Sequence, residues 1–484
     1  MSVFRIARHE LRQAWRAGTL AALGILVTLL LIGAGLAGRA QHARDQAQRA
    51  RFQDLVKEQW NAQPDRHPHR VSHYGYLVFR PRAPLAFFDR GYEPYAGTAL
   101  FLEAHRQNTA NFSDAAQDSS TRRFGDLTMA MVLQMLVPLL IFAVAGVSVS
   151  REREADTLAL LLSQAASWRS FLWGKLCGSL LLVACLVGPG VLLVGAWIGA
   201  EAVDQGTSDV MLRALLLTVS YALYLATCAG IAVLVSSWHS TSRGALVTLL
   251  GMWLVLWVVV PRVLPAVATM LYPLPSRASF EAEVERRVRT LGDSHNPDDP
   301  TFAKLKAQAL ADHAVTRIED LPFNYNGLVM TESEKMTAAA YGEYMAGLVG
   351  IYQRQGTVVA LAGFLSPYVA IRTVSGALAG VDLPHIIEFE RQAEEYRYAL
   401  IQHLNQLHTN EVALALDRYI GVDEHGAPTR QRIPQRFWQS TPAVAFTTPT
   451  VAWALARQPL GIAAVVCWLL LASIGIAART RPAF

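Results

Sequence analysis

Apolar residues along this chain gather into six long runs, at approximately 18–38, 127–149, 172–199, 211–235, 244–264 and 459–478. Each is near the roughly 20 residues that a helix needs to cross a bilayer core. The pattern predicts six transmembrane helices separated by short turns, with two exceptions: long polar stretches at 39–126 and 265–458. A further segment, 357–380, is apolar and long enough to span, yet it contains Pro367 and places Arg372 near its middle. A charge at the bilayer centre costs roughly 2.5–3.5 kcal/mol on insertion scales. This segment is therefore expected to be an interfacial or domain-buried helix. The first run follows a basic segment and ends in Ala37-Gly38-Arg39-Ala40, which loosely resembles a signal cleavage site. It exceeds the usual signal core of about 7–15 residues, so an uncleaved first helix is expected.

The polar stretches read mostly as helix. Residues 41–60 continue the first span, and helical periodicity recurs at 278–291, 301–319, 331–356 and 385–418. Asn296-Pro-Asp-Asp-Pro300 and Leu321-Pro322 interrupt it, and short strands are expected around Tyr74–Phe79. No internal repeat is visible. The fold class expected is an all-α polytopic membrane protein with mainly helical extracytoplasmic domains.

Charge sets the expected orientation. The N-terminal tail carries Arg5, Arg8, Arg12 and Arg16, the second-to-third connection Arg151, Arg153, Arg169 and Lys175, and the fourth-to-fifth Arg243; Arg479 and Arg481 end the chain. The third-to-fourth connection has Glu201, Asp204 and Asp209 and no Lys or Arg. Basic short loops stay in the cytoplasm. Both termini are thus expected inside a bacterial cytoplasmic (inner) membrane, with both long polar stretches outside. Of 484 residues 52% are hydrophobic and 17% charged, which agrees with a membrane protein, while the net charge of +5 decides little. Cys177, Cys185, Cys228 and Cys467 all fall inside apolar runs, so no disulfide framework or CxxC site is expected.

Residues 1–17 place Phe4, Ala7, Leu11, Ala14 and Trp15 at helical spacing, with Arg5, Arg8, Arg12 and Arg16 alongside. That is the pattern of an amphipathic helix lying in the inner leaflet, its cations at the headgroups. In the loop at 150–171, Leu158, Leu161, Leu162 and Ala165 form one face of a short helix preceded by the charged cluster Arg151–Asp156. Such a face can dock into a groove on a cytoplasmic partner or rest on the bilayer.

Other chemistry is sparse. The chain's Gly174-Lys175 is followed by Leu176 and lacks the upstream glycine of GxxxxGK[ST], whose backbone cradles phosphates. There is no HExxH, and His385-Ile-Ile-Glu388 is an isolated HxxE. The runs contain no series of acidic, Lys or His residues of the kind that marks proton-coupled carriers. His67, His69, His73 and His105 lie near one another in sequence, but their spacing matches no standard metal site. No metal and no catalytic residue is expected.

The series Glu152-Arg153-Glu154-x-x-Thr157-Leu158-x-Leu160-Leu161-Leu162-Ser163-Gln164, followed by Gly174-Lys175, resembles the permease subunits of ATP-binding-cassette transporters. The similarity is to the NosY-like branch of the type-2 permease superfamily, also called type V exporters. The resemblance implies that this loop holds a coupling helix fitting into a separate ATPase subunit, carried by Arg151, Glu152, Arg153, Glu154, Thr157, Leu158, Leu161 and Leu162. The stretch with His9-Glu10-Leu11-Arg12 resembles the family's elbow helix, represented by Phe4, Arg5, Arg8, Leu11, Arg12 and Trp15. Tyr92–Gly97, Leu102–Asn108, Leu365-Ser-Pro, Leu378-Ala-Gly and Ala393-Glu-Glu-Tyr-Arg397 resemble a subgroup with two large external insertions. The implied partners are cytoplasmic ABC ATPase subunits, a second permease copy or paralogue forming a dimer and the lipid bilayer, with no nucleic acid; the size of the two external stretches suits receiving or directing a substrate, or recruiting a periplasmic protein. ATP and Mg would be bound by the ATPase and no cofactor by this chain. The implied function is export coupled to ATP hydrolysis. A mechanotransmitter that moves periplasmic domains without passing substrate remains the alternative, and a membrane-anchored sensor without any ATPase is a third reading.

Overall fold

The computed structural model describes residues 3–113, 127–163, 167–205, 208–417, 421–422, 428–439, 441 and 444–479. Helix α1 (Val3–Arg16) turns at Gly18, whose φ of 71° suits glycine, into α2 (Thr19–Asn61). The apolar first half of α2 and the polar helix expected over 41–60 are therefore one 43-residue element. A short helix α3 (Pro68–Tyr74) leads to strand β1 (Tyr76–Phe79), which pairs antiparallel with β2 (Ala99–Leu102), Tyr76 opposite Leu102.

Next comes α4 (129–145), capped by the Thr128 hydroxyl accepting from the Met131 amide and widened at Val132–Leu136 into a π-helical turn. Two short helices follow, α5 (Ser150–Glu154) and α6 (Thr157–Ser163). Then come α7 (Trp168–Gln205), α8 (Ser208–Trp238) and α9 (Ser242–Leu271), the last with a second π-helical stretch at Leu254–Val259. Beyond α9 lie α10 (Arg277–Arg289), α11 (Ala303–Asp312), α12 (Tyr325–Ala362), α13 (Pro367–Ala379), α14 (Leu383–Glu411), α15 (Val451–Ala456) and α16 (Pro459–Ala478). Six helical stretches among the described residues are long and apolar enough to cross a membrane, beginning at Thr19, Met129, Trp168, Ser208, Ser242 and Pro459. The protein is an all-α polytopic membrane protein, and its strands among the described residues form two small ribbons.

The segment 357–380 is not one helix. Its first residues end α12, and the rest forms α13, bounded by the Ser366 cap, Pro367 at the first helical position and Gly380 at φ 78°. Thirteen residues make a rod of about 20 Å, too short for a 30 Å hydrocarbon core. Val369, Ala370, Ile371, Val374 and Leu378 are buried, with α13 packed against α8 and α16, while Arg372 is exposed. At its C-terminal end the buried Arg213 of α8 donates to the carbonyls of Ala377 (3.3 Å), Leu378 (3.1 Å) and Pro449 (2.6 Å). The same guanidinium pairs with Asp209 at 2.6 Å.

The π-helical turn in α4 leaves the Gln134 carbonyl open, and Tyr224 Oη (2.6 Å) and Trp257 Nε1 (3.0 Å) both donate to it. The Gln134 amide donates to Tyr221 Oη at 2.8 Å, and Tyr221 Oη lies 3.0 Å from Ser375 Oγ, which donates to Asp89. One polar chain thus runs from the middle of the bundle, through α13, into the first insertion.

The two insertions share an apolar core. Trp60, Val71, Tyr76, Val78 and Leu102 from the first pack with Phe389, Leu400, Leu404 and Trp438 from the second. Trp60 Nε1 donates to the Trp438 carbonyl at 3.0 Å. A smaller cluster of Phe302, Ala309, Leu321, Tyr325 and Val329 packs α11 and the turns beside it against the start of α12.

Candidate functional site

Helix α1, the segment 150–163, the α8–α9 turn and Arg479 gather at the end of the bundle away from the insertions. Arg481 and Ala165 lie outside the described residues. Helix α1 has three sides. Ile6, Ala7 and Glu10 are buried against α7. Phe4 and Trp15, eleven residues and thus about three turns apart, are 71% and 66% exposed on a second side. Leu11 is partly buried between these sides, and Arg5, Arg8 and Arg12 are exposed on the third. The close approach to α7 depends on Gly174 and Gly178: a Cβ on Gly174 would lie 2.6 Å from Ile6 Cβ, and one on Gly178 2.8 Å from Glu10 Cβ. This is the small-xxx-small arrangement that lets helix backbones approach in a membrane.

Between those glycines Lys175 is enclosed. Its Nζ donates to Glu10 Oε1 at 2.6 Å and to Glu152 Oε1 at 2.7 Å. The cation is satisfied by one carboxylate from α1 and one from α5, which fixes α5 against both α1 and α7. By sequence Glu10 belongs to a motif and Lys175 counts as a cation of the second-to-third connection; the structure instead places Lys175 inside α7 and buries it. The readable signal was a lysine between two glycines four apart in an apolar run.

The segment is also tied to the α8–α9 turn. Ser236 Oγ accepts from the amides of Val149 and Ser150, both at 3.1 Å, serving as the N-cap that α5 lacks locally. Arg153 donates to the carbonyls of His239 (2.6 Å) and Ser237 (3.0 Å), the orphan acceptors at the C-terminus of α8, and Arg479 adds a third bond to Ser237 at 3.2 Å. Glu154 accepts from Ser242, and Thr157 donates to Glu152. The chain reverses between α5 and α6 at Asp156, where φ is 53°.

The nominated residues thus divide. Glu152, Arg153 and Thr157 are tethers, and Leu158 is buried with Leu161 and Leu162 packed partly against the bundle core. Arg151, Glu154, Asp156, Ala159 and Leu160 are exposed, Leu160 to 61%, with Arg151 also donating to Gln13 of α1 at 3.0 Å and Glu154 accepting from Ser242.

A separate apolar groove of about 540 Å³ lies between α7 and α8, lined by Val187, Gly188, Val191, Leu215, Thr218 and Tyr221 among others. In the insertions the histidines sort unexpectedly. His67 leaves its neighbours: its Nδ1 accepts from the His69 amide (3.2 Å) and its Nε2 contacts Asp417 Oδ1 at 2.9 Å. Asp417 also accepts from His408 Nε2 (3.0 Å), Asn324 (3.2 Å) and Asn326 (2.7 Å). Burial alone would raise this carboxyl, but the hydrogen bonds from His408 and His67 outweigh it and hold it well below its ordinary value. A carboxylate so fully donated to is a structural knot. His69, His73 and His105 instead meet His295 of the second insertion.

The family model described as ABC-2 family transporter protein matches residues 4–291, which hold α1, the 150–163 segment and five of the six long apolar helices. A second model, Domain of unknown function (DUF3526), matches residues 277–447, from α10 through α14 and beyond. No curated protein matches the chain. With more than half its length matched, this multi-pass membrane protein belongs to the ABC-2 transporter family and is an ABC permease subunit.

Proposed function

We propose that the chain is the membrane half of an ATP-driven exporter of a bacterial cytoplasmic membrane, moved by a separate ATPase that docks on the 150–163 segment. ATP and Mg would sit in that subunit. The observation that carries this reading is the anchoring of α5: Lys175 of α7 and Ser236 of α8 bond to it, Arg153 bonds back to the end of α8 and Lys175 also holds Glu10 of α1, while Arg151, Glu154, Asp156, Ala159 and Leu160 are exposed. A push on that outward surface is transmitted to three elements rather than absorbed by a loose loop. Both termini then lie in the cytoplasm and the insertions outside, as the basic short loops favour. A second permease copy has the outward apolar face of α9 available, where Val247, Leu250, Leu254 and Val263 are each at least half exposed.

One observation favours mechanotransmission as a second reading. The polar chain from Trp257 through Gln134 and Tyr221 to Ser375 and Asp89, with the Arg213 clamp on α13, links the bundle rigidly to the insertions. The test is affinity purification at native expression, with a Leu160→Asp variant in parallel. An ATPase that co-purifies with the wild-type chain and is lost from a stably inserted Leu160→Asp variant supports the proposal. Absence of any ATPase from the wild-type preparation overturns both readings.

A further inference from the structure

Four histidines from distant parts of the chain converge in the insertions. His69 and His73 stand one turn apart on α3, a spacing that puts both rings on one face. His105 follows β2 at a left-handed φ of 60°, and His295 sits in the turn between α10 and α11. One ring nitrogen from each lies within 4.8 Å of the others. His69 Nε2 is 3.2 Å from both His73 Nε2 and His295 Nε2. Four nitrogens held about 2.0–2.1 Å from a tetrahedral zinc are about 3.3–3.4 Å apart.

Hydrogen bonding among the rings alone does not account for this packing. A neutral imidazole offers one N–H and one lone pair, and His69 Nε2 faces two nitrogens with whichever of the two it carries. His105 Nε2 is buried with no hydrogen-bond partner. What satisfies several converging lone pairs together is a cation.

The surroundings orient the rings for one. Glu334 Oε2 accepts from the His105 amide at 3.0 Å and lies 3.5 Å from His105 Nδ1. Asp293 Oδ1 accepts from the His295 amide at 2.9 Å and lies 3.3 Å from His295 Nδ1. A carboxylate on Nδ1 is the usual outer partner of a metal-bound histidine and turns Nε2 toward the ion. Glu334 is itself held by Arg397 at 2.7 Å. Neutral imidazoles without an inner carboxylate suit zinc, nickel or copper, and not magnesium or calcium. The half-exposed His295 ring leaves a way in from solvent.

We infer that His69, His73, His105 and His295 bind one divalent transition-metal ion, with zinc the best geometric match, and that the ion clasps the two insertions together. Three ligands come from the first insertion and His295 from the α10–α11 turn of the second, so metal loading would fix that turn against α3. This reverses the expectation of no metal drawn from spacing alone, and it does not depend on the transport reading.

The test uses the full chain in detergent micelles, stripped with a chelator, then titrated with Zn²⁺ against a chromogenic competitor. One Zn²⁺ per chain is expected, with at least tenfold weaker binding in His73→Ala and His295→Ala and unchanged binding in His313→Gln, which lies outside the cluster. His295 is in an exposed turn, so its variant keeps the fold, which circular dichroism checks. Co²⁺ in place of Zn²⁺ should give the intense visible bands of a tetrahedral site, lost in His295→Ala. Binding by the wild type no tighter than by folded His295→Ala overturns the inference, as an adventitious ion only.

Discussion

Lys175 Nζ lies 2.6 Å from Glu10 Oε1, with the lysine side chain 1% exposed. Removing one partner of a buried ion pair leaves an uncompensated charge and costs about 3–5 kcal/mol. Lys175→Met would strand two carboxylates, Glu10 and Glu152, and should lower stability by that amount. The triple variant Glu10→Gln, Lys175→Met and Glu152→Gln should lose less, because no charge is left unpaired. Denaturant unfolding in micelles measures both.

Close approach of α1 to α7 rests on glycines. In Gly174→Leu the new Cβ meets Ile6 Cβ at 2.6 Å, backed by α1 itself. Overpacking of this kind costs about 1–3 kcal/mol, and here the cheaper relief is to release α1. Limited proteolysis should cut within residues 3–16 of the variant well before the wild type.

Arg213 holds four acceptors, the Asp209 carboxylate and the carbonyls of Ala377, Leu378 and Pro449. Each charged hydrogen bond of this type contributes about 1.5–3 kcal/mol. Arg213→Leu should therefore loosen α13 locally, seen as faster amide hydrogen exchange across 367–379 than across α14.

Asp417 sets an acid limit on the insertions. Its folded pKa lies below the ordinary 3.8, so its contribution is fully present above about pH 4 and is lost as pH falls through the folded value. Asp417→Asn should cost about 2 kcal/mol at pH 7 and flatten the loss of stability below pH 4. Unfolding midpoints of both proteins between pH 3 and pH 7 check this.

Much of the bundle was legible because a bilayer demands long uninterrupted apolar helices. The six runs coincide with the six long helices, and Pro367 marks the break that keeps 357–380 from being one long helix. In the structure, side chains of Thr128, Ser366 and Asp382 cap helix N-termini. The sites were less legible. Leu158, Leu161 and Leu162 do share a helix face, but periodicity does not tell whether such a face meets a partner or the chain's own core. It turns inward, and Leu160 is left outside.

By itself, then, the sequence determined what depends on neighbours along the chain: the spans, the amphipathic α1, the charged start of α5 and the i, i+4 pair His69 and His73. Tertiary structure decided every pairing across long separations. Lys175 meets Glu10 from 165 residues away, and His69 meets His295 across 226. The physical reason is that a buried charge or lone pair must be satisfied somewhere, but single-chain periodicity carries no record of which distant group does so. His69, His73 and His105, which match no metal spacing in sequence, thus join the distant His295 in one cluster only when the two insertions fold together.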